Sequence, residues 1–276
     1  MSAVTPRPAP LRLGTLRLGS RRSPMAIAQS RQVADMITER TGRAVEIVGV
    51  TTLGDVSRAQ LTQIGGTGVF VSALREALLG GEVDLAVHSL KDLPSGSAAG
   101  VMLAAVPTRD DPRDALVARD GAKLADLPPG ARIGHVGAIT QVFEPDEMLP
   151  APGQGALAVE CRADDAELAA LLQAVTDEAS MAAVTAERSL LEALEAGCSA
   201  PIGAYAVPPG SGTAQLRMQA AVMSPDGSRT LRAHGGAPVA DAWQLGRDLA
   251  AELLRSGASD LISVSEGQAN TRNDVQ

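Results

Sequence analysis

From Leu11 to Val106, short apolar runs alternate with helix-period segments, and this alternation constrains the fold more than any other feature of the chain. Leu11–Leu18 reads as a first strand. Ser23-Pro24 then opens a helix, with Ser as N-cap and Pro at the first helical position, and Gly42 closes it. Ile27, Val33, Met36 and Ile37 recur on one face of that helix. Ala44–Thr52 is rich in β-branched residues and reads as a second strand. The glycines Gly65, Gly66 and Gly68 lead into a helix from about Val69 to Leu79, stopped by Gly80-Gly81. Asp84–Val87 and Val101–Val106 read as further strands. Strand, helix and strand in this order predict a parallel α/β sheet.

The following stretch is less regular. Ala115–Ala118 and Ala131–Gly134 fit short strands, with a turn at Pro128-Pro129-Gly130. Leu157–Cys161 is again strand-like. Asp164 or Asp165 caps a helix to about Val175, and Ser180 caps a longer one ended by Gly197, with Met181, Val184, Leu191 and Leu194 inward. Leu216–Met223 and Ser228–His234 flank Pro225-Asp226-Gly227, a hairpin signal, and a helix follows from about Val239 to Arg255. The C-terminal part therefore reads as a small α+β unit. Residues 1–10 read as a disordered leader and 267–276 as a disordered tail.

The 276 residues are enough for two or three domains, and a hydrophobic share of 45% predicts a globular chain. Its only aromatics are Phe70, Phe143, Tyr205 and Trp243, so the core must be built from Leu, Val, Ile and Ala. A net charge of −8 argues against non-specific nucleic-acid binding. No apolar run is long enough to span a bilayer. Two cysteines, Cys161 and Cys198, make no disulfide framework and point to a reducing compartment, hence the cytoplasm. With three histidines in all, a Cys/His metal site is not expected.

Ligands of open α/β sheets bind beyond the carboxyl ends of the strands, where His88-Ser89-Leu90-Lys91-Asp92-Leu93-Pro94 sits. An ionised Asp92 there can stabilise a developing cation or accept a proton, and Lys91 can pair with a carboxylate. The residues alone fit a solvated loop with a local ion pair at least as well. Arg21, Arg22 and Ser23 join a strand end to a helix start, which suits an anion or a plain surface cap. The glycine loop lacks the spacing of a nucleotide-binding fingerprint and reads as a lid or hinge. Cys198 follows a helix-ending glycine, where a thiol can react, although the residues alone fit an unreactive thiol equally well. Cys161 alternates with Leu157 and Val159 and reads as a small buried hydrophobe.

Several segments, in order, resemble the porphobilinogen deaminase (hydroxymethylbilane synthase) family. They are Gly19–Pro24, Thr52–Asp55, Gly65–Phe70, His88–Pro94, Asp111–Ala115, Leu149–Ala156, Thr185–Arg188 and Gly197-Cys198. The resemblance runs from Leu11 to about Glu266. It implies two α/β domains like those of periplasmic binding proteins, the second truncated here, plus a C-terminal α+β domain. The first domain would take 11–107 and about 156–175, the remnant of the second 108–155, and the third 178–266. The resemblance further implies a dipyrromethane cofactor held by a thioether to Cys198. Four porphobilinogen units are added stepwise with loss of ammonia, and hydroxymethylbilane is released by hydrolysis. By position, Asp92 matches the catalytic Asp, Ser89 and Lys91 match cofactor-binding positions, and Arg21, Ser23 and Gln29 match substrate-binding positions. A monomer is implied.

The chain departs from the family after Gly134. A Thr-Ser-Ser-x-Arg-Arg motif, an Arg-Gly-Asn-x-x-Thr-Arg motif and an Ala-Gly-Leu-x-Arg-Leu-Gly segment are all missing, and His135 resumes beyond them. In the family these arginines hold carboxylates, each of which costs several kcal/mol, to order of magnitude, when buried unpaired. The shortened chain is therefore expected to be a poor catalyst of marginal stability. The alternative is a non-catalytic bilobal protein that binds small anions or serves as a partner.

Overall fold

The computed structural model describes residues 14–51, 68–128, 131, 138–196, 200–207 and 214–262, with the side chains of 68–70 outside that set. The expected leader and tail, the glycine loop at 65–67, the strand over 131–134 apart from Ala131, and Cys198 lie outside the described residues.

The first strand, β1 (Leu16–Arg21), runs past the expected end at Leu18, and residues 11–13 of the expected strand lie outside the described residues. Helix α1 (Pro24–Thr41) begins where Ser23 caps it, the side chain accepting from the Ala26 N–H, and ends at Gly42, whose φ of 71° is one that glycine adopts without strain. Val33 and Ile37 on its inner face are fully buried. Then follow β2 (Val45–Val50), α2 (Gly68–Leu79), β3 (Leu85–Ser89), β4 (Val101–Ala105), β5 (Ala115–Leu116), β6 (Gln141–Val142) and β7 (Leu157–Arg162).

The main sheet has the order β2-β1-β3-β7-β4. β1 runs parallel to β2 and β3, as the alternation predicts. β7, however, is antiparallel to both of its neighbours, so the sheet is mixed rather than parallel. It follows the 108–155 segment in the chain and inserts between β3 and β4, running opposite to both. Leu157, Val159 and Cys161 of β7 pack with Leu18, Val33, Ile37, Leu85, Leu168 and Leu172 in one apolar cluster. Within 108–155 the two-residue strands β5 and β6 pair in a sheet of their own.

Asp165 caps α3 (Ala166–Leu172), accepting from the Leu168 N–H. The longer helix α4 (Glu178–Ala193) is capped by Asp177, not by Ser180 as expected. Asp177 accepts from the Ser180 N–H at 2.7 Å, and the Ser180 hydroxyl accepts instead from the Arg109 N–H at 3.0 Å. The C-terminal sheet contains β8 (Ile202–Val207), β9 (Gln215–Met223) and β10 (Thr230–Pro238), in the order β10-β9-β8 and antiparallel throughout. β8 was not expected: its Gly203, Ala204 and Ala206 give little strand signal. Helix α5 (Ala242–Arg255) lies on α4 at close range. Gly246 makes that approach possible, since a β-carbon there would collide with the Ala186 carbonyl and the Ser189 hydroxyl.

Candidate active site

Three elements end around one small cleft. The C-terminal end of β1 brings Arg21, the start of α1 brings Ser23 and Gln29, and the end of β3 brings His88 and Ser89, with Asp92 in the 3-10 turn Leu90–Asp92 that follows. Val71 of α2 and Val87 supply apolar wall. The turn is tied down by the Leu90 N–H donating to the Ala156 carbonyl at 2.9 Å and the Leu93 N–H to the Leu90 carbonyl at 3.0 Å. Ser89 Oγ donates to Gln29 Oε1 at 3.3 Å, linking β3 to α1. Beneath them Ser30 donates to Ser20 at 2.8 Å, with both side chains buried, and fixes α1 on β1.

Five of the seven sequence-predicted residues, Arg21, Ser23, Gln29, Ser89 and Asp92, thus line one cleft. Lys91 is exposed and outside that lining; its Nζ donates to Gln154 Oε1 at 3.4 Å. Cys198 lies outside the described residues. The cleft holds about 70 Å³, well below the about 300–1,000 Å³ of a small-molecule pocket, so it forms one wall of any larger site.

Gln154 belongs to a tight loop that reaches across from the 108–155 segment. Its Nε2 donates to the Pro112 carbonyl at 2.7 Å and to Asp114 Oδ1 at 3.1 Å. The neighbouring Gly153 has φ 77°, and a β-carbon there would run into the Leu90 side chain, so this close approach to the Asp92 turn requires glycine.

Two buried ionic groups were missed by sequence reasoning. Glu187 on α4 accepts from Arg109 Nη1 at 2.7 Å and Nη2 at 3.2 Å, and from the N–H groups of Gly153 at 2.6 Å and Ala206 at 2.8 Å. Burial pushes its carboxyl up, while Arg109 and the two amides pull it back. Four donors on one carboxylate make it a charged junction between the 108–155 segment, α4 and β8. Arg109 also stacks over the Tyr205 ring, 5.3 Å from its centroid. The second group is Arg75–Glu160–His88, packed under the cleft. Each carboxylate carried a signal: Glu160 interrupts the apolar strand Leu157–Cys161, and Glu187 falls on the same helix face as Ala183 and Leu190.

Cys161 is fully buried, and burial is the main cause that pushes its thiol up to about 11. It is thus the inert apolar residue that its strand position suggests.

The fold and cleft define an α/β protein with polar and cationic groups at its strand ends and a separate α+β unit behind them. A family model described as "Porphobilinogen deaminase, dipyromethane cofactor binding domain" matches residues 16–138 and 132–170, and "Porphobilinogen deaminase, C-terminal domain" matches 181–255. The chain belongs to the porphobilinogen deaminase family. It is 46% identical over 309 aligned residues to porphobilinogen deaminase 1 of Streptomyces coelicolor, covering 90% of this chain and 97% of that one. It is 46% identical over 307 to the porphobilinogen deaminase of Thermobifida fusca, with 90% and 95% covered. For the Mycolicibacterium paratuberculosis porphobilinogen deaminase the figures are 40% over 306, with 90% and 96% covered. These alignments are longer than the 276-residue chain itself, so the relatives hold positions that it lacks. The two pieces of the first family match meet at 132–138, the point of the departure after Gly134.

Proposed function

We propose that this chain is a hydroxymethylbilane synthase that condenses four porphobilinogen molecules with loss of ammonia and releases the linear product by hydrolysis. The observation that carries the reading is the meeting of Arg21, Ser23, Gln29, Ser89 and Asp92 around one cleft, in a chain of this family. Asp92 lies where an anion can face pyrrole N–H groups and stabilise positive charge developing on the ring. Arg21, Ser23 and Gln29 offer a guanidinium, a hydroxyl and an amide to substrate carboxylates and amine.

Ser89 and Lys91 hold the dipyrromethane in this reading, and Cys198 carries it as a thioether. The donors fit the group: a hydroxyl and an ammonium beside the Asp92 turn suit the acetate and propionate of a pyrrole ring. When bound, the group supplies the primer that is extended. No helix among the described residues is long and apolar enough to cross a membrane. We assign a monomer in the cytoplasm.

Intact-mass measurement of anaerobically purified chain, expressed with ample porphobilinogen, tests the reading. The expected result is an added covalent dipyrrole that is retained in Cys161→Ala and lost in Cys198→Ala, together with porphobilinogen consumption. An unmodified mass without consumption overturns it and leaves a binding protein derived from this family.

A further inference from the structure

We infer that His88, oriented by Glu160 and Arg75, takes up the proton released when two pyrrole rings are joined. The inference rests on the functional reading above. Joining two rings through a methylene makes one C–C bond and breaks two others. The C–N bond of the incoming unit breaks, and ammonia leaves with its electron pair. The C–H bond at the attacked ring carbon then breaks, its electron pair returns to the ring, and the proton needs an acceptor. Ammonia leaves as a separate molecule, and the Asp92 carboxylate is engaged with the cationic ring in the functional reading above, so a second group beside it takes the proton.

His88 sits beside that point. It lines the same cleft as Asp92, although only 4% of its side chain is exposed. Its Nε2 lies 3.2 Å from Glu160 Oε2, a close polar contact between two buried side chains that falls short of a hydrogen bond. Glu160 is held from the other side by Arg75, with Nε donating to Oε2 at 3.0 Å and Nη2 to Oε1 at 2.6 Å. His88 Nδ1 has no hydrogen-bond partner among the described residues and, unlike Nε2, is not among the sealed polar atoms, while the residue itself lines the cleft.

The electrostatics give each nitrogen a role. Burial pushes the Glu160 carboxyl up, but His88 and Arg75 together hold it down at about 2, so it is an anion throughout the working range. An anion beside Nε2 keeps the proton of the neutral ring on that nitrogen and leaves the lone pair on Nδ1. Once Nδ1 is protonated, the same carboxylate stabilises the imidazolium. Arg75 opposes this, because it shares Glu160 and repels a second cation. Among the described residues, the charged groups around His88 are Glu160 from β7 and Arg75 from α2, with Arg21 from the end of β1 and Asp92 from the turn after β3 lining the same cleft. Glu160 and Arg75 are positioning residues, and their removal must act in opposite directions.

The test is the pH dependence of porphobilinogen turnover by the full chain at saturating substrate. Glu160→Gln should move the acid limb to lower pH, and Arg75→Gln should move it to higher pH. His88→Gln should abolish the limb and lower kcat about 100-fold with KM little changed. A second readout needs no turnover. With only three histidines in the chain, a long-range 1H–15N spectrum resolves His88, and the neutral ring should carry its proton on Nε2, a preference lost in Glu160→Gln. Limbs that move together or stay fixed in an active parent overturn the relay, as does a neutral ring protonated on Nδ1. If His88→Gln does not fold, the opposed shifts of the other two variants still decide. A parent that consumes no porphobilinogen overturns the functional reading itself, and the proton-transfer role falls with it.

Discussion

Arg109 and Glu187 form a two-pronged ion pair, at 2.7 and 3.2 Å, with the carboxylate wholly shielded from solvent. Glu187 also accepts the Gly153 and Ala206 amides, so losing it strands three sets of donors at once. Glu187→Gln and Arg109→Gln should each lower the stability of the chain by about 3–5 kcal/mol, the scale for breaking a buried pair by removing one partner. Urea unfolding at neutral pH measures it. A loss below about 1 kcal/mol in both variants would mean that water replaces the missing partner and the junction is dispensable.

Acid should destabilise the chain partly through Glu160. Its carboxyl is held at about 2 in the folded chain, against 4.5 as the reference value for the unfolded one. Between those values the unfolded chain binds the proton more readily, so this contribution is complete above 4.5 and is lost as pH falls toward about 2. Asp84, held below its ordinary value by Arg17 against the cost of burial, adds loss of the same sign. The urea midpoint should therefore fall steeply over this window in the parent and less steeply in Glu160→Gln. Equal slopes would show that Glu160 titrates alike in both states.

Asp92→Asn should leave the urea midpoint unchanged, because the side chain is partly exposed and makes no ion pair among the described residues. Turnover should drop by at least about two orders of magnitude, the usual scale for losing a positioned charge-stabilising group. Near-normal turnover would remove Asp92 from its assigned role.

Trypsin should cut first at Arg119 or Lys123. From Val117 to Val142 no described residue is buried, and both sites are exposed. Arg17, Arg75, Arg109 and Arg162, by contrast, all make ion pairs, and the exposed Arg31, Arg217, Arg247 and Arg255 lie within helices or strands. First cleavage within α4 or β9 would mean that the C-terminal unit opens before the 108–155 segment does.

The residues that cap and punctuate were legible in the sequence. Ser23-Pro24 and Gly42 bracket α1, Pro225-Asp226-Gly227 makes the turn between β9 and β10, and Cys161 is buried where its alternation puts it. Each is a local rule obeyed locally. The parallel sheet was misread because strand direction depends on where the chain has been, and nothing inside Leu157–Arg162 records that it returns from another segment. Ser180 lost the cap to Asp177 because a carboxylate three residues earlier meets the same N–H, a competition local spacing leaves open. Strand-end placement brought Arg21, Ser89 and Asp92 together, while Arg109, Gln154 and Glu187 act across gaps that periodicity does not see.

The position of β7 between β3 and β4 bears on how the chain is made. The first sheet lacks an inner strand until Leu157–Arg162 has left the ribosome, so residues up to Ala105 cannot close their fold as they emerge. The nascent chain must hold two unpaired strand edges while the whole 108–155 segment is synthesised. A shorter excursion between β4 and β7 shortens that wait, and it lowers the entropic cost of closing the loop only logarithmically. The same interleaving means that a backbone nicked near Lys123 stays assembled. Its two fragments share one sheet, should elute together from a sizing column under native conditions, and should separate only in denaturant.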